Sequence, residues 1–257
     1  MNTFLASSWA DSRGKVILIL LVLWFAALMS RFRWIEVIYQ AVSIGTVVLV
    51  DALITRVRTG ILVFSLSSVL TGLLIGLILD PNGGIWLILL AAILAVVDKQ
   101  FLRTNIHRHI FNPAAFGIVV AAQLLGGNVA WWAVSWGIWP VGIIGLGMIW
   151  VLWRIRRLFL PLTFFLIYVL INLPRVGAVD SLRLVFDGTV FLFAFIMLPE
   201  PMTSLARGIW QYTWGVLVGV LLFFCIRLPI SFVDPLLTAL LGANVVGFLV
   251  LNRQIKT

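Results

Sequence analysis

The segment 98–117, DKQFLRTNIHRHIFNPAAFG, gathers an unusual number of chemically capable residues inside an apolar sequence. Arg103, Arg108 and His109 lead into Asn112 and Pro113, a pair suited to the cap and first turn of a helix. The unpaired amides at such a helix start carry partial positive charge, and the flanking cations add to it, so this is an anion-favouring corner. A basic loop next to a membrane span also serves topology alone, and that use stands beside the anion-binding one. His107 and His109 have no acidic or cysteine partner nearby, which makes them a poor metal site.

A second irregular stretch, LPEPMTSLARG at 198–208, has Pro199 and Pro201 flanking Glu200, with Thr203 and Ser204 placed to cap the helix that follows. A helix broken at membrane depth is tolerated only where it is buried in protein or lines a cavity, and the alternative here is an ordinary loop. In the third apolar run, Ser65, Ser67, Ser68 and Thr71 are spaced to share a face, either as part of a site or as contacts between helices. Asp80, Asp187 and Glu200 are expected at helix ends, and Asp51 is expected to pair with Arg56 or Arg58. There is no Ser-His-Asp set, metal constellation or Gly-rich phosphate loop. The side chains needed for hydrolysis or group transfer are therefore not recognisably arranged.

These residues are embedded in a chain that is 63% hydrophobic and 11% charged, against about 25% charged in soluble domains. Apolar runs recur at roughly 15–30, 34–54, 60–79, 83–97, 112–126, 130–153, 158–173, 184–198, 208–226 and 230–251. They predict an all-α polytopic membrane protein of ten transmembrane helices. No cleavable signal pattern precedes the first run. The single cysteine, Cys225, excludes an intrachain disulfide and a Cys-ligated iron–sulfur cluster, and is expected to be a small buried apolar residue.

The net charge of +9 does not make a nucleic-acid surface, because the basic residues sit in short loops between apolar runs. Thirteen of the 18 Lys and Arg residues fall on one side: Arg13, Lys15, Arg56, Arg58, Lys99, Arg103, Arg108, Arg154, Arg156, Arg157, Arg207, Arg253 and Lys256. That side is expected to be cytoplasmic, with both termini there and the protein multi-pass in the inner (plasma) membrane. Trp131, Trp132, Trp136 and Trp139 would then be anchors at the outer interface.

SSVLTGLLIGLILDP (67–81) and DGTVFLFAFIMLPEP (187–201) share a small or hydroxylated start and an acid-Pro end, 120 residues apart. Five spans per half would give the halves opposite orientation, with sites at their interface. The expected organisation is a first five-helix repeat over 1–126 and a second over 127–257.

FNPAAFG at 111–117 and PEPMTS at 199–204 resemble motifs of the RnfD and NqrB membrane subunits, in which a basic segment runs into FNPA and a later span ends in a DPVTSP-like turn. The resemblance implies two inverted five-helix repeats in a urea-channel-like fold. It also implies a subunit of a membrane redox complex coupling electron transfer to sodium or proton movement, with other redox subunits and the lipid bilayer as partners. Family members carry FMN covalently on a threonine before the sixth span. Here no threonine occurs between Thr104 and Thr163, the stretch reads SWGIWPVGIIGLG (135–147), and Ser135 is a weak substitute. The expectation is thus FMN or riboflavin held noncovalently, with Arg108, His109, Asn112, Pro113, Ser67, Ser68, Thr71, Thr203 and Ser204 as candidate cofactor-binding residues. A small-solute transporter or channel, with flavin as one possible solute, is the alternative. An aquaporin-type pore is disfavoured, because that fold needs a second NPA-type half-helix and 233–237, VDPLL, does not match it.

Overall fold

The computed structural model describes residues 2–103, 108–204, 208–229 and 232–256, with side chains described from Ser12 to Val250 within those ranges. Thr104, His107 and Arg207 lie outside the described residues, as do the side chains of Arg253 and Lys256. Ten α-helices and no named strand are found among the described residues: α1 (Asn2–Ser30), α2 (Trp34–Thr59), α3 (Leu66–Ile78), α4 (Ile85–Phe101), α5 (Pro113–Leu125), α6 (Trp139–Arg154), α7 (Phe159–Val185), α8 (Gly188–Leu192), α9 (Trp210–Arg227) and α10 (Pro235–Lys256). The protein is an all-α polytopic membrane protein.

The helices differ in reach. Among the described residues, Ser12–Ser30 of α1, α2, α7 and α9 are the helices long and apolar enough to cross a membrane by length and composition. Apolar stretches of α3, α5, α6, α10 and the run Gly188–Met197 are 10–17 residues long, so the ten apolar runs correspond to ten helices of unequal length. The shortening has local causes. α3 stops before Asp80 and Pro81, which form a 3-10 turn with the Asp80 carboxylate accepting from Asn82 N at 2.9 Å. α8 passes into a single π-helical turn, Phe193–Met197, ahead of Pro199. α7 extends beyond the expected 173 to Val185, with Pro174 inside it and a kink at Gly177, where φ is 81°.

The chain forms two compact units, Met1–Ala133 and Val134–Thr257. In the first, α2 packs against α3 and α4, α4 against α5, and α1 against α3. Small residues permit this: Ala91, Ala92 and Ala95 are fully buried on α4, and a Cβ on Gly117 of α5 would collide with the Ala91 carbonyl. The segment after α5 returns to the end of α3, with Ala130 N and Trp131 N donating to Ile78 O at 3.0 and 2.9 Å. Trp131 and Trp132 are therefore buried, and the Trp132 indole donates to Gly76 O at 2.7 Å. They are core residues rather than interfacial anchors, whereas Trp139 is exposed.

In the second unit α7 packs on α9, α9 on α10, and α6 on α8. Its centre is aromatic: Phe191 stacks on Phe195 with centroids 5.1 Å apart, and Phe165 meets both. Each unit ends in a helix opened by a polar cap followed by proline. Asn112 Oδ1 accepts from Ala115 N at 3.0 Å before Pro113, and Asp234 Oδ1 accepts from Leu237 N at 2.8 Å before Pro235. Large apolar side chains such as Val57, Trp86 and Leu146 face outward, as lipid contact requires.

Gly72 tests the α2–α3 contact, because a Cβ there would lie 2.7 Å from Ile44 Cα. Gly72→Ala should lower thermal stability in detergent by about 1–3 kcal/mol. Gly45→Ala, at a helical position with nothing within 4 Å, should leave stability unchanged or raise it by up to about 1 kcal/mol.

Candidate functional site

The first unit holds an ionic cluster between α2, α3 and α4. Asp51 and Lys99 are 4% and 5% exposed, and their carboxylate and ammonium groups stand 2.9 Å apart. Lys99 also donates to Ser68 Oγ at 2.7 Å and Ser65 Oγ at 3.4 Å, which uses all three ammonium hydrogens. Ser68 in turn donates to Asp51 Oδ2. Gln100 Nε2 donates to Asp51 Oδ1 at 2.5 Å and to Thr55 Oγ1 at 3.2 Å, and Arg58 donates to Gln100 O at 2.9 Å. Every group of the ion pair is satisfied from within the unit, which is the condition for keeping charge in apolar surroundings.

Asp51 therefore pairs with Lys99 rather than with Arg56 or Arg58. An acid on α2 sees those arginines in its own last turns, but the buried face of α2 turns Asp51 toward α4. The sequence signal was an acid-Lys-Gln triplet, 98–100, at the end of an apolar helix.

The basic corner adjoins this cluster. Arg103 Nε donates to Lys99 O, and Ile110 N donates to Leu102 O at 3.0 Å, closing the chain ahead of α5. His109 is 8% exposed and its Nδ1 has no hydrogen-bond partner. Burial, followed by the charges of Arg103, Lys99 and Arg13, pushes its pKa down to about 4. Asn112 and Pro113 are at the helix start as expected, and the Asn112 side chain is engaged in capping.

Seven of the nine candidate residues belong to the first unit and two, Thr203 and Ser204, to the second. Ser68 joins the ionic cluster, whereas Ser67 only accepts from Thr71 Oγ1 through its carbonyl, at 2.9 Å. Thr203 and Ser204 do not cap α9, which begins at Trp210 behind Ile209 without a side-chain cap. Instead Ser204 Oγ donates to Glu200 O at 2.7 Å and accepts from Arg157 Nη1 at 2.5 Å, while Arg157 also reaches Pro199 O at 2.8 Å. Thr203 Oγ1 lies 3.4 Å from Glu200 Oε2. The prolines leave a bend too tight for a regular helix, and a 5% exposed guanidinium from the segment after α6 fills it.

The second unit contains a cavity of about 690 Å³ whose walls include Ser135, Asp180, Arg183, Phe186 and Asp187. Asp180 and Arg183 pair at 3.0 Å, and Asp187 caps α8 by accepting from Thr189 N at 2.8 Å. Groups of three or more His, Cys, Asp or Glu able to hold a metal are absent among the described residues.

Two tests follow from these environments. Lys99→Met should cost about 3–5 kcal/mol, since it strands the buried Asp51 carboxylate. The double change Asp51→Leu/Lys99→Met should recover most of that loss in thermal unfolding. For His109, a folded pKa of about 4 lies below its unfolded value of about 6.5. The unfolded state then binds more protons in that window, so stability falls as pH drops from about 6.5 toward 4, and His109→Gln should flatten that part of the curve.

Among curated proteins, none matches this chain. The family model described as the NQR2, RnfD, RnfE family matches residues 6–136, half of the chain, including the ionic cluster, the basic corner and all of α2 to α5. The chain belongs to the NQR2, RnfD, RnfE family and is a membrane subunit of the Rnf/Nqr type.

Proposed function

We propose that this subunit takes part in flavin-linked electron transport coupled to ion translocation, in the inner membrane beside other redox subunits, with both termini cytoplasmic. The observation that carries the ion-coupling part is the buried Asp51–Lys99 pair with its complete set of partners on three helices. Ionisable groups inside apolar helical units are costly, and they recur where charge is moved. The pair is neutral overall, so a proton or cation reaching Asp51 must displace or share with Lys99. That requirement makes the cluster responsive to an arriving charge.

For the flavin, FMN or riboflavin, the second-unit cavity fits in size, since ligand sites run about 300–1,000 Å³. Phe186 offers an aromatic face, and Arg183, Asp180 and Ser135 offer polar contacts to it. The stretch before α6 has a serine but no threonine, so noncovalent holding is the form these residues support. When bound, the flavin would supply the redox chemistry, and Phe186, Arg183 and Ser135 would orient it.

The same cavity, with charged groups in its walls, is the observation favouring the second reading, transport of a small solute such as flavin. The visible spectrum of the purified protein separates the readings. Flavin absorbance that leaves the polypeptide on acid denaturation is the expected result. Colour retained on the denatured chain overturns the noncovalent assignment, and a colourless protein that moves riboflavin into liposomes favours transport. In the assembled complex, Asp51→Asn should reduce ion translocation at least tenfold while electron transfer continues; unchanged ion translocation removes the role given to the pair.

A further inference from the structure

Helix α2 buries a polar stripe along its length. Glu36, Gln40, Ser43, Val47 and Asp51 are all buried, at intervals of four, three, four and four residues that hold them on one face. Asp51 at one end is fully paired, whereas the other end is not. Glu36 is 1% exposed and Gln40 is fully buried, and Glu36 Oε2 and Gln40 Oε1 both lack a hydrogen-bond partner. The Gln40 amide has only one sensible orientation, because its Nε2 donates to Gly72 O at 3.3 Å and Leu73 O at 3.4 Å. Flipping it would set oxygen against two carbonyls.

Two orphaned acceptor oxygens therefore stand one helical turn apart on the same buried face. An unpaired buried carboxylate oxygen is expensive, and so is an unpaired amide oxygen. As two acceptors neither can satisfy the other, and a proton on the carboxyl is the donor that the pair lacks.

We propose that Glu36 carries a proton on Oε2 and donates it to Gln40 Oε1, making this end of α2 a proton-binding site that nothing in the family match specifies. The surrounding charges oppose a metal cation. Arg31 and Arg33 precede α2; Arg31 donates to Trp132 O at 2.7 Å, and Arg33 donates to Asn82 Oδ1 at 2.8 Å. Arg33 also makes an ion pair with Glu36 through Oε1 at 3.8 Å, too long for a hydrogen bond and leaving Oε2 without a donor. Tyr39 donates to Gly84 O, and Asp80 is occupied by Asn82. Helix α3 presents no titratable group, and those of α4, Asp98 and Lys99, are at its far end. A metal cation beside two guanidinium groups would be repelled; the same groups favour the carboxylate, so the protonated acid rests on the burial of Glu36 and on its orphaned Oε2. The site lies about 22 Å from Asp51 at 1.5 Å per residue, with buried Val47 the apolar break between the polar positions.

The assignment is independent of the flavin reading, since it concerns one carboxyl in the purified chain without an electron donor. Infrared spectroscopy at pH 7 reads it directly. The wild type should show the carbonyl stretch of a protonated carboxylic acid, shifted down in D2O. Glu36→Gln, which keeps shape and a donor toward Gln40, should abolish the band while preserving the melting temperature. Gln40→Leu should keep the band but move it to the higher frequency of an acid without a hydrogen-bond acceptor. Absence of the band in wild type, or its persistence in Glu36→Gln, overturns the proposal. A sodium-dependent change in carboxylate bands that disappears in Glu36→Gln overturns it in favour of a bound cation.

Discussion

Lys99 is an ammonium group held among apolar helices, and the first unit is arranged so that it never lacks an acceptor. Asp51 of α2, Ser68 of α3 and Ser65 at the α3 cap must all reach it together. A rotation of any one helix would break at least one of these bonds where no water can replace it. The pair therefore sets the register of α2, α3 and α4. The close packing that follows, with Gly72 against the α2 backbone and Gly117 against α4, becomes possible only in that register. Arg103 extends the arrangement by closing on Lys99 O, which places the Asn112 cap and the start of α5.

The second unit meets the same constraint with different groups. Its buried cation, Arg157, bonds a backbone carbonyl and a hydroxyl, Pro199 O and Ser204 Oγ. Carbonyls become available there because the helix is interrupted: α8 widens into a π-turn and then meets prolines, which break the regular ladder. A planar guanidinium can span such dispersed acceptors, where an ammonium could not do so as well. Breaking the helix and burying the arginine are thus one solution, since each leaves polar groups that the other satisfies.

What was legible in the sequence was whatever depends on local chemistry. Apolar runs located all ten helices, and Asn112–Pro113 marked the start of α5 because a cap and a fixed φ act within four residues. Thr203 and Ser204 misled because their cap-like spacing was overridden by Arg157, more than forty positions away. Asp51 was assigned to the wrong partner for the same reason, as sequence proximity favoured Arg56 and Arg58 while packing supplied Lys99. The tryptophans of 131–132 looked interfacial by position, yet a return of the chain onto α3 buried them. Helix length was overestimated where a hydrophobic run continued through a cap or a proline turn, since hydropathy does not register where the backbone ladder stops.

The two ends of α2 show why these polar groups are not simply structural glue. A buried ion pair is seldom the most stable filling for its space, and well-packed apolar side chains of similar volume usually do as well or better. Stability alone thus gives no reason for Asp51 and Lys99, nor for an acid at Glu36 where leucine would pack. Under the proposed function, what the polar groups add is a defined response to charge. Asp51 can release Lys99 only when another cation or a proton takes its place. Gln40 can keep its amide hydrogen bonds to α3 while its free oxygen gains or loses a donor. Under the proposed readings both changes would leave the helices folded, on one face of a single helix, in the unit whose sequence matches the family. Ser43, bonded to Gly72 O at 2.8 Å, and buried Val47 stand between them, so the two polar ends of the stripe are separated by an apolar position.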